Sequence, residues 1–243
     1  MKLVGVGVGP GDPELITVRA VRVLREADLV LVPVLADDQA EPGRAEAVVR
    51  AHTGKAERVV FALSDRGGVT RRRAAAWDAA ADRVAGAFAA GAGTVAFATL
   101  GDPNLYSTFT YLAQTVRGRI DGVLVETVPG ITAMQDLAAR TGTVLTEGSE
   151  SLGLVSGTAG AGRFRAALAS HDTVVAYKFA PVAGEVIEAV RDAGRLAGAV
   201  YGARLGLSGE DVRPAGELPL RAPVPYLATL LVPADRTTRG GRL

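Results

Sequence analysis

The amino-acid sequence predicts an α/β protein with two α/β domains. The N-terminal domain is expected to hold a five-stranded, mainly parallel sheet, and the C-terminal domain a mixed α+β sheet. Three observations predict this fold. Short apolar runs alternate with helix-like segments in the first half, the second half is looser, and 243 residues are enough for two cores. We place the domains at 1–125 and 126–243.

Five apolar runs in the first domain have the length and β-branched content of strands. They lie at residues 3–8, 29–34, 58–63, 94–100 and 123–128. Helices are expected between them, over about 13–27, 44–53, 70–90 and 106–117. Asp12 and Pro13 supply an N-cap and a first helical residue for the first of these helices. Strands that alternate with helices in this way form parallel sheets.

The second domain has fewer and less regular signals. Strands are expected at 152–156, 173–179, 199–205 and 226–232, and helices at 163–170 and 182–193. No helix fits the segment 205–225, so the last two strands are expected to be antiparallel neighbours. The tail 236–243 has no apolar anchor and is expected to fray.

Composition excludes several classes of function. The chain has no cysteine, and its two histidines, His52 and His171, lack the spacing of ligands, so we expect no protein-bound metal. The net charge of +1 gives no general attraction for nucleic acid. No apolar stretch reaches the ~20 residues of a membrane span. The first residues do not resemble a signal peptide, and we expect a cytoplasmic protein with no membrane partner.

Three of the predicted parallel strands end in loops of glycine and proline. These loops are GPGDP at 9–13, LGDP at 100–103 and VPGIT at 128–132. Ligands of open parallel sheets bind at the carboxyl ends of the strands. Three such loops on one edge therefore predict a shared ligand site rather than three ordinary turns.

The first loop does not fit a phosphate-binding loop. A G-x-G-x-x-G fingerprint needs a third glycine where the chain has Pro10 or Asp12. The expected helix start carries a carboxylate, and Pro13 offers no N–H to a phosphate. A ligand without phosphate, such as a sulfonium methyl donor, matches the loops better. Asp102 is the carboxylate expected near such a ligand, and the alternative is that it only stabilises its turn.

Three segments resemble a known family. GVGVGPGDPELIT at 5–17, VAFATLGDPNLYSTFTYL at 95–112 and VETVPGITAMQDLAARTG at 125–142 resemble the tetrapyrrole (corrin and porphyrin) methylases. Within that family, GDPNLYSTFTYL is similar to the branch that methylates C20 of precorrin-2. The resemblance continues more weakly to PYLATLLV at 225–232, so it covers most of the chain.

The resemblance implies a homodimer whose protomers bind S-adenosyl-L-methionine in a cleft between the two domains. It implies methyl transfer to C20 of precorrin-2, giving precorrin-3A in cobalamin biosynthesis, with a small tetrapyrrole as the only partner besides the second copy. Asp102 and Tyr106 are the candidates for removing the C20 proton. The positions that match donor contacts of the family are Pro10, Leu100, Gly101, Asp102, Leu105, Ser107, Thr108, Thr132, Ala133, Tyr177 and Ala203.

Several alternatives stay open on the sequence alone. The same reaction on cobalt-containing precorrin-2 is the nearest one, and methylation of another tetrapyrrole is the next. An NAD-binding oxidoreductase is disfavoured by the failed fingerprint. A donor-binding protein without catalysis is the remaining alternative. The sequence does not indicate which arginines bind substrate carboxylates.

Overall fold

A computed structural model describes residues 1–35, 41–62, 68–219, 223–238 and 240. The chain forms two compact units, Met1–Thr132 and Ala133–Leu243, and each unit holds one five-stranded sheet. Among the described helices, none has the length and apolar character needed to cross a membrane.

The first unit alternates strands and helices as predicted. Its elements are β1 (Lys2–Gly7), α1 (Val18–Glu26), β2 (Leu29–Val34), α2 (Arg44–His52), β3 (Glu57–Val60), α3 (Arg71–Ala89), β4 (Thr94–Thr99), α4 (Phe109–Arg117) and β5 (Leu124–Val128). The strand order is β3-β2-β4-β1-β5, and every pairing is parallel. The parallel sheet of the N-terminal domain is thus confirmed. Residue 63, the end of the third predicted strand, lies outside the described residues.

Helices cover both faces of this sheet because successive strand residues point to opposite sides. In β1, Leu3 packs with Val84 and Phe109 from α3 and α4. Its neighbour Val4 packs instead with residues of α1 and α2, among them Leu24. Both faces are therefore buried, which leaves the ends of the strands as the accessible part of the sheet.

The first helix begins later than the sequence predicts. Asp12 does act as an N-cap, but of a short 3-10 turn at Pro13–Leu15, where its carboxylate accepts the Glu14 N–H at 2.9 Å. The backbone is extended again at Thr17, whose hydroxyl accepts the Ala20 N–H at 3.1 Å and caps α1. The single predicted helix is therefore two segments.

The compact units divide after Thr132 rather than after residue 125. A boundary at 125 falls inside β5, which pairs with β1 from Lys2 to Val6. Because strand pairing fixes β5 in the first sheet, the first unit extends to the end of the loop that follows it.

The second unit contains a mixed sheet, as predicted. Its elements are α5 (Ala133–Thr141), β6 (Leu152–Ser156), α6 (Ala161–Ser170), β7 (Thr173–Tyr177), α7 (Ala183–Asp192), β8 (Val200–Ala203), β9 (Asp211–Pro214) and β10 (Ala228–Val232). The strand order is β6-β7-β10-β8-β9, with β6 and β7 parallel and the other neighbours antiparallel. The last two predicted strands, at 199–205 and 226–232, correspond to β8 and β10, and their predicted antiparallel pairing is confirmed.

Two elements of the second unit and one contact of the tail differ from expectation. Helix α5 and strand β9 are absent from the sequence prediction. Strand β9 has only Val212 as a strand-like apolar residue. The tail was expected to fray, but Arg236 donates to the Val144 carbonyl at 3.1 Å and to the Glu150 carboxylate. That prediction is wrong for Arg236, while 239 and 241–243 lie outside the described residues.

Candidate functional site

The three glycine and proline loops meet at the carboxyl edge of the first sheet. Strand order places β1 between β4 and β5, so the loops after these strands are neighbours. The Gly101 N–H donates to the Gly9 carbonyl at 2.7 Å. A Cβ on Gly7 would lie 2.6 Å from the Gly130 nitrogen, and one on Gly130 would overlap the Gly101 carbonyl oxygen. Glycine is required here because the three backbones touch, and the shared edge predicted for these loops is observed.

Asp102 ties two of these loops together. One carboxylate oxygen accepts the Asn104 N–H at 2.8 Å, which closes the turn after β4. The other accepts the Gly130 N–H at 3.0 Å, in the loop after β5. The Asn104 amide adds a second link to the hydroxyl of Thr127 at 3.2 Å. Asp102 thus shapes the edge of the sheet, and its roles in donor binding and catalysis stay predictions.

Tyr106, Ser107 and Thr108 occupy the approach to α4. Tyr106 has a left-handed backbone, with φ at 52°, and its side chain is 44% exposed. Residues with a Cβ adopt this conformation at a cost in free energy, and such strain clusters at functional sites. The Ser107 hydroxyl accepts the Phe109 N–H at 3.1 Å and lies 2.9 Å from the Thr99 hydroxyl, so it orders the start of the helix. Thr108 immediately precedes α4.

The other predicted donor contacts of the first unit lie on the same loops. Pro10 and Thr132 are buried, and Leu100 and Leu105 are half-buried. Together with Gly101 they lie in or next to the three loops that converge at this edge. The structure therefore brings the first-unit set together, although donor contact itself is a prediction.

Three predicted contacts of the second unit are grouped around α5. Ala133 is its first residue, and the hydroxyl of Tyr177, at the end of β7, accepts the Met134 N–H at 2.7 Å. Ala203, at the end of β8, is buried. Its neighbour Gly202 lies beneath the helix, since an added Cβ would be 2.7 Å from Cδ1 of Leu137.

A chain of polar contacts holds the loop after β8. Arg140 of α5 donates to the buried carboxylate of Asp136 at 2.8 Å and to Glu210 at 2.9 Å. Glu210 in turn accepts the Gly206 N–H at 2.6 Å. The loop that follows Ala203 is thereby fixed to the same helix that Tyr177 caps.

Sequence reasoning missed two cations at the ends of strands in the second unit. Lys178 follows β7 with φ at 53°, and Arg204 follows β8 with φ at 54°. No sequence pattern indicates a left-handed backbone at lysine or arginine, so nothing distinguished these residues from the other cations of the chain.

The family is decided by comparison with known proteins. Residues 2–219 match the model of the Tetrapyrrole (Corrin/Porphyrin) Methylases, which covers most of the chain. The chain belongs to the tetrapyrrole methylase family. The resemblance found in the three loop segments is confirmed.

This methylase is similar to several curated relatives. It is 31% identical over 247 residues to the cobalamin biosynthesis protein CobIJ of Mycobacterium tuberculosis, covering 96% of this chain but 46% of that protein, so the chain spans about half its length. It is 33% identical over 235 residues to a cobalt-precorrin-2 C(20)-methyltransferase of Salmonella typhimurium, covering 95% of each chain. It is 32% identical over 241 residues to a precorrin-2 C(20)-methyltransferase of Sinorhizobium sp, covering 96% of this chain and 95% of that protein.

Solved structures share the fold of this methylase. A uroporphyrin-III C-methyl transferase of Thermus thermophilus, complexed with S-adenosylhomocysteine, superposes with a TM-score of 0.63 at 23% identity and covers 95% of this chain and 97% of its own. Cobalt precorrin-4 methyltransferase CbiF superposes with a TM-score of 0.63 at 20% identity, covering 96% and 94%. At these identities the likeness establishes the fold.

Proposed function

We propose that this methylase transfers the methyl group of S-adenosyl-L-methionine to C20 of precorrin-2, giving precorrin-3A in cobalamin biosynthesis. The observation that carries the proposal is its 33% and 32% identity to two proteins named for C20 methylation. Both alignments extend over at least 95% of this chain. Family membership narrows the substrate to a tetrapyrrole, and these two relatives favour the C20 position.

The loops of the first sheet support a donor without phosphate. The carboxylate of Asp12 already accepts the Glu14 N–H, and Pro13 has no N–H, so the turn after β1 is unsuited to a pyrophosphate. The place where the three loops meet is formed instead by small residues and backbone carbonyls. S-adenosyl-L-methionine supplies a cationic sulfur with a transferable methyl group. The residues present fit this donor, and the loops around Gly101 would hold it.

Methyl transfer depends more on alignment of the donor with the acceptor carbon than on a strong base. The donor is already electrophilic and the macrocycle carbon is electron-rich, so the protein has to hold the two in line and exclude water. The loops tied by Asp102 are suited to this task, because their hydrogen bonds fix the backbone before ligand arrives. The C20 proton must then leave, and we propose Asp102 and Tyr106 as the two groups to test as its acceptor.

Metal-free precorrin-2 is the substrate that we propose. The second candidate is cobalt-precorrin-2, which the 33% identity to the Salmonella protein favours. The cobalt is then part of the substrate and is not bound by the protein. We further propose a cytoplasmic homodimer, which rests on the family resemblance.

The test is a pair of anaerobic incubations with S-adenosyl-L-methionine, one with precorrin-2 and one with cobalt-precorrin-2, followed by mass analysis. We expect one added methyl group and faster turnover of the metal-free substrate. Faster turnover of cobalt-precorrin-2 would identify that compound, the second candidate, as the substrate. No methylation of either substrate would overturn the proposal.

A further inference from the structure

The carboxyl ends of β7 and β8 place Lys178 and Arg204 on one edge of the second sheet. Both strands run antiparallel to β10, which lies between them, so they are parallel to each other and end on the same side. With neighbouring strands about 4.8 Å apart, the two residues stand roughly 10 Å from each other across β10. Both have left-handed backbones, where glycine or asparagine is less strained.

An exposed apolar centre lies between the two cations. Tyr226 and Leu227 form the turn into β10, and their side chains are 52% and 38% exposed. In the register of the sheet, Ala228 of β10 pairs with Ala203 and the next residue pairs with the end of β7. The turn is therefore flanked by Lys178 on one side and by Arg204 on the other.

The side chains of both cations are placed by local contacts. The ammonium of Lys178 lies 6.0 Å from the centroid of the Tyr226 ring. The guanidinium of Arg204 lies beside Gly209, since a Cβ added there would be 3.0 Å from one of its terminal nitrogens. The loop that carries Arg204 is itself held by the contact of Glu210 with Arg140.

We propose that Lys178, Tyr226, Leu227 and Arg204, here named the cationic edge, bind the tetrapyrrole substrate through its carboxylate side chains. The inference rests on the proposed function. A precorrin is a broad macrocycle with carboxylates around its rim, and the cationic edge has the complementary pattern of an apolar centre between two positive charges. The methyl donor has a cationic sulfur and a single carboxylate, so a pair of cations suits it less well.

The test replaces each cation by asparagine, which tolerates the left-handed backbone and removes the charge. Lys178→Asn, Arg204→Asn and the double variant are assayed anaerobically with precorrin-2 and S-adenosyl-L-methionine. We expect the KM for precorrin-2 to rise about 3- to 10-fold in each single variant and further in the double one. The kcat, the KM for the donor and the Kd for S-adenosylhomocysteine should change less than about twofold. Lys178→Arg should restore the KM.

A matched control removes a charge elsewhere in the second unit. Arg163 is exposed on α6, and Arg163→Asn should leave every constant unchanged. Calorimetric titration with precorrin-2 measures binding apart from turnover. Circular dichroism reports folding, and Lys178→Gly and Arg204→Gly, which also tolerate the left-handed backbone, replace any asparagine variant that unfolds.

These measurements distinguish failure of the proposed function from failure of the cationic edge. A wild-type protein that binds precorrin-2 without methylating it overturns the proposed function, and the cationic edge is then judged on the Kd values alone. Folded variants whose KM and Kd for precorrin-2 equal those of the wild type overturn the cationic edge while leaving the proposed function in place. Variants that are more stable to heat than the wild type, but have the same KM and Kd for precorrin-2, would show that the two left-handed cations have no part in binding.

Discussion

The carboxylate of Asp102 accepts the backbone N–H of Gly130 at 3.0 Å and thereby joins the loop after β4 to the loop after β5. Its second oxygen holds the Asn104 N–H at 2.8 Å. The residue that the sequence indicates as the acidic group of the ligand site is thus also the residue that gives the site its shape. We therefore propose that donor binding and the architecture of these loops are coupled through the Asp102 side chain.

Asp102→Ala should weaken both folding and donor binding. It leaves the Gly130 N–H and the Asn104 N–H without their acceptor, which costs about 1–3 kcal/mol of unfolding free energy. We expect the Kd for S-adenosylhomocysteine, measured by calorimetry, to rise at least tenfold as the loops loosen. Asp121→Ala, at an exposed aspartate of the same unit, is the matched control and should change neither quantity. An Asp102→Ala protein with wild-type stability and affinity would contradict this account.

Gly130→Ala should destabilise the first unit. Its Cβ would overlap the Gly101 carbonyl oxygen, which belongs to the backbone and cannot turn away as a side chain would. We expect the free energy of unfolding in urea to fall by at least about 2 kcal/mol. Gly86→Ala is the control, because Gly86 lies within α3 with open space around it, and this variant should be about 0.5–1 kcal/mol more stable. Equal stability of both variants would refute the close contact of the loops.

Glu46 should make stability depend on acid pH. Its carboxylate is fully buried and accepts hydrogen bonds from Arg58, Arg50 and the Gly43 N–H. Burial raises the pKa of Glu46, but the hydrogen bonds outweigh burial and hold the pKa below its usual value of 4.5. A carboxyl with a lowered folded pKa contributes stability that is complete above its unfolded pKa and is lost as the pH falls through the folded pKa.

The measurement is urea unfolding of the wild type and of Glu46→Gln from neutral pH to about pH 3. We expect the variant to be less stable at neutral pH and the difference to shrink once the pH falls below about 4.5. Glu188→Gln, at an exposed position on α7, should show no such convergence. A constant difference across the whole range would rule out this role of Glu46.

Tyr177→Phe should weaken donor binding indirectly, because it loosens the start of α5. The variant keeps the ring but removes the hydroxyl that accepts the Met134 N–H at 2.7 Å. We expect a loss of about 1 kcal/mol in unfolding free energy. The affinity for S-adenosylhomocysteine should fall by less than tenfold, because the start of the helix is loosened rather than removed. A large loss of affinity at full stability would instead indicate direct contact between the hydroxyl and the donor.

Much of the fold could be predicted because it depends on local patterns. Apolar runs separated by helices predict a parallel sheet, and the carboxyl ends of its strands share one edge, so the convergence of the loops at Pro10, Gly101 and Gly130 follows from order along the chain. The sequence did not reveal which loops are direct neighbours. That depends on β1 lying between β4 and β5.

The rest depends on tertiary contacts that no local pattern reports. Asp102 finds its partner Gly130 at a distance of 28 residues along the chain. Helix α5 is fixed by packing of Leu137 against Val175 and Leu231 of the second sheet, and these partners lie far from it along the chain. Lys178 and Arg204 acquire their left-handed backbones only where strands end.

The most direct test of the central claim uses S-adenosyl-L-methionine with an isotopically labelled methyl group and precorrin-2 under anaerobic conditions, with nuclear magnetic resonance of the product. We expect one labelled methyl group, bonded to C20 of the macrocycle. A label on any other carbon, or a macrocycle that remains unlabelled while the donor binds, would contradict the central claim.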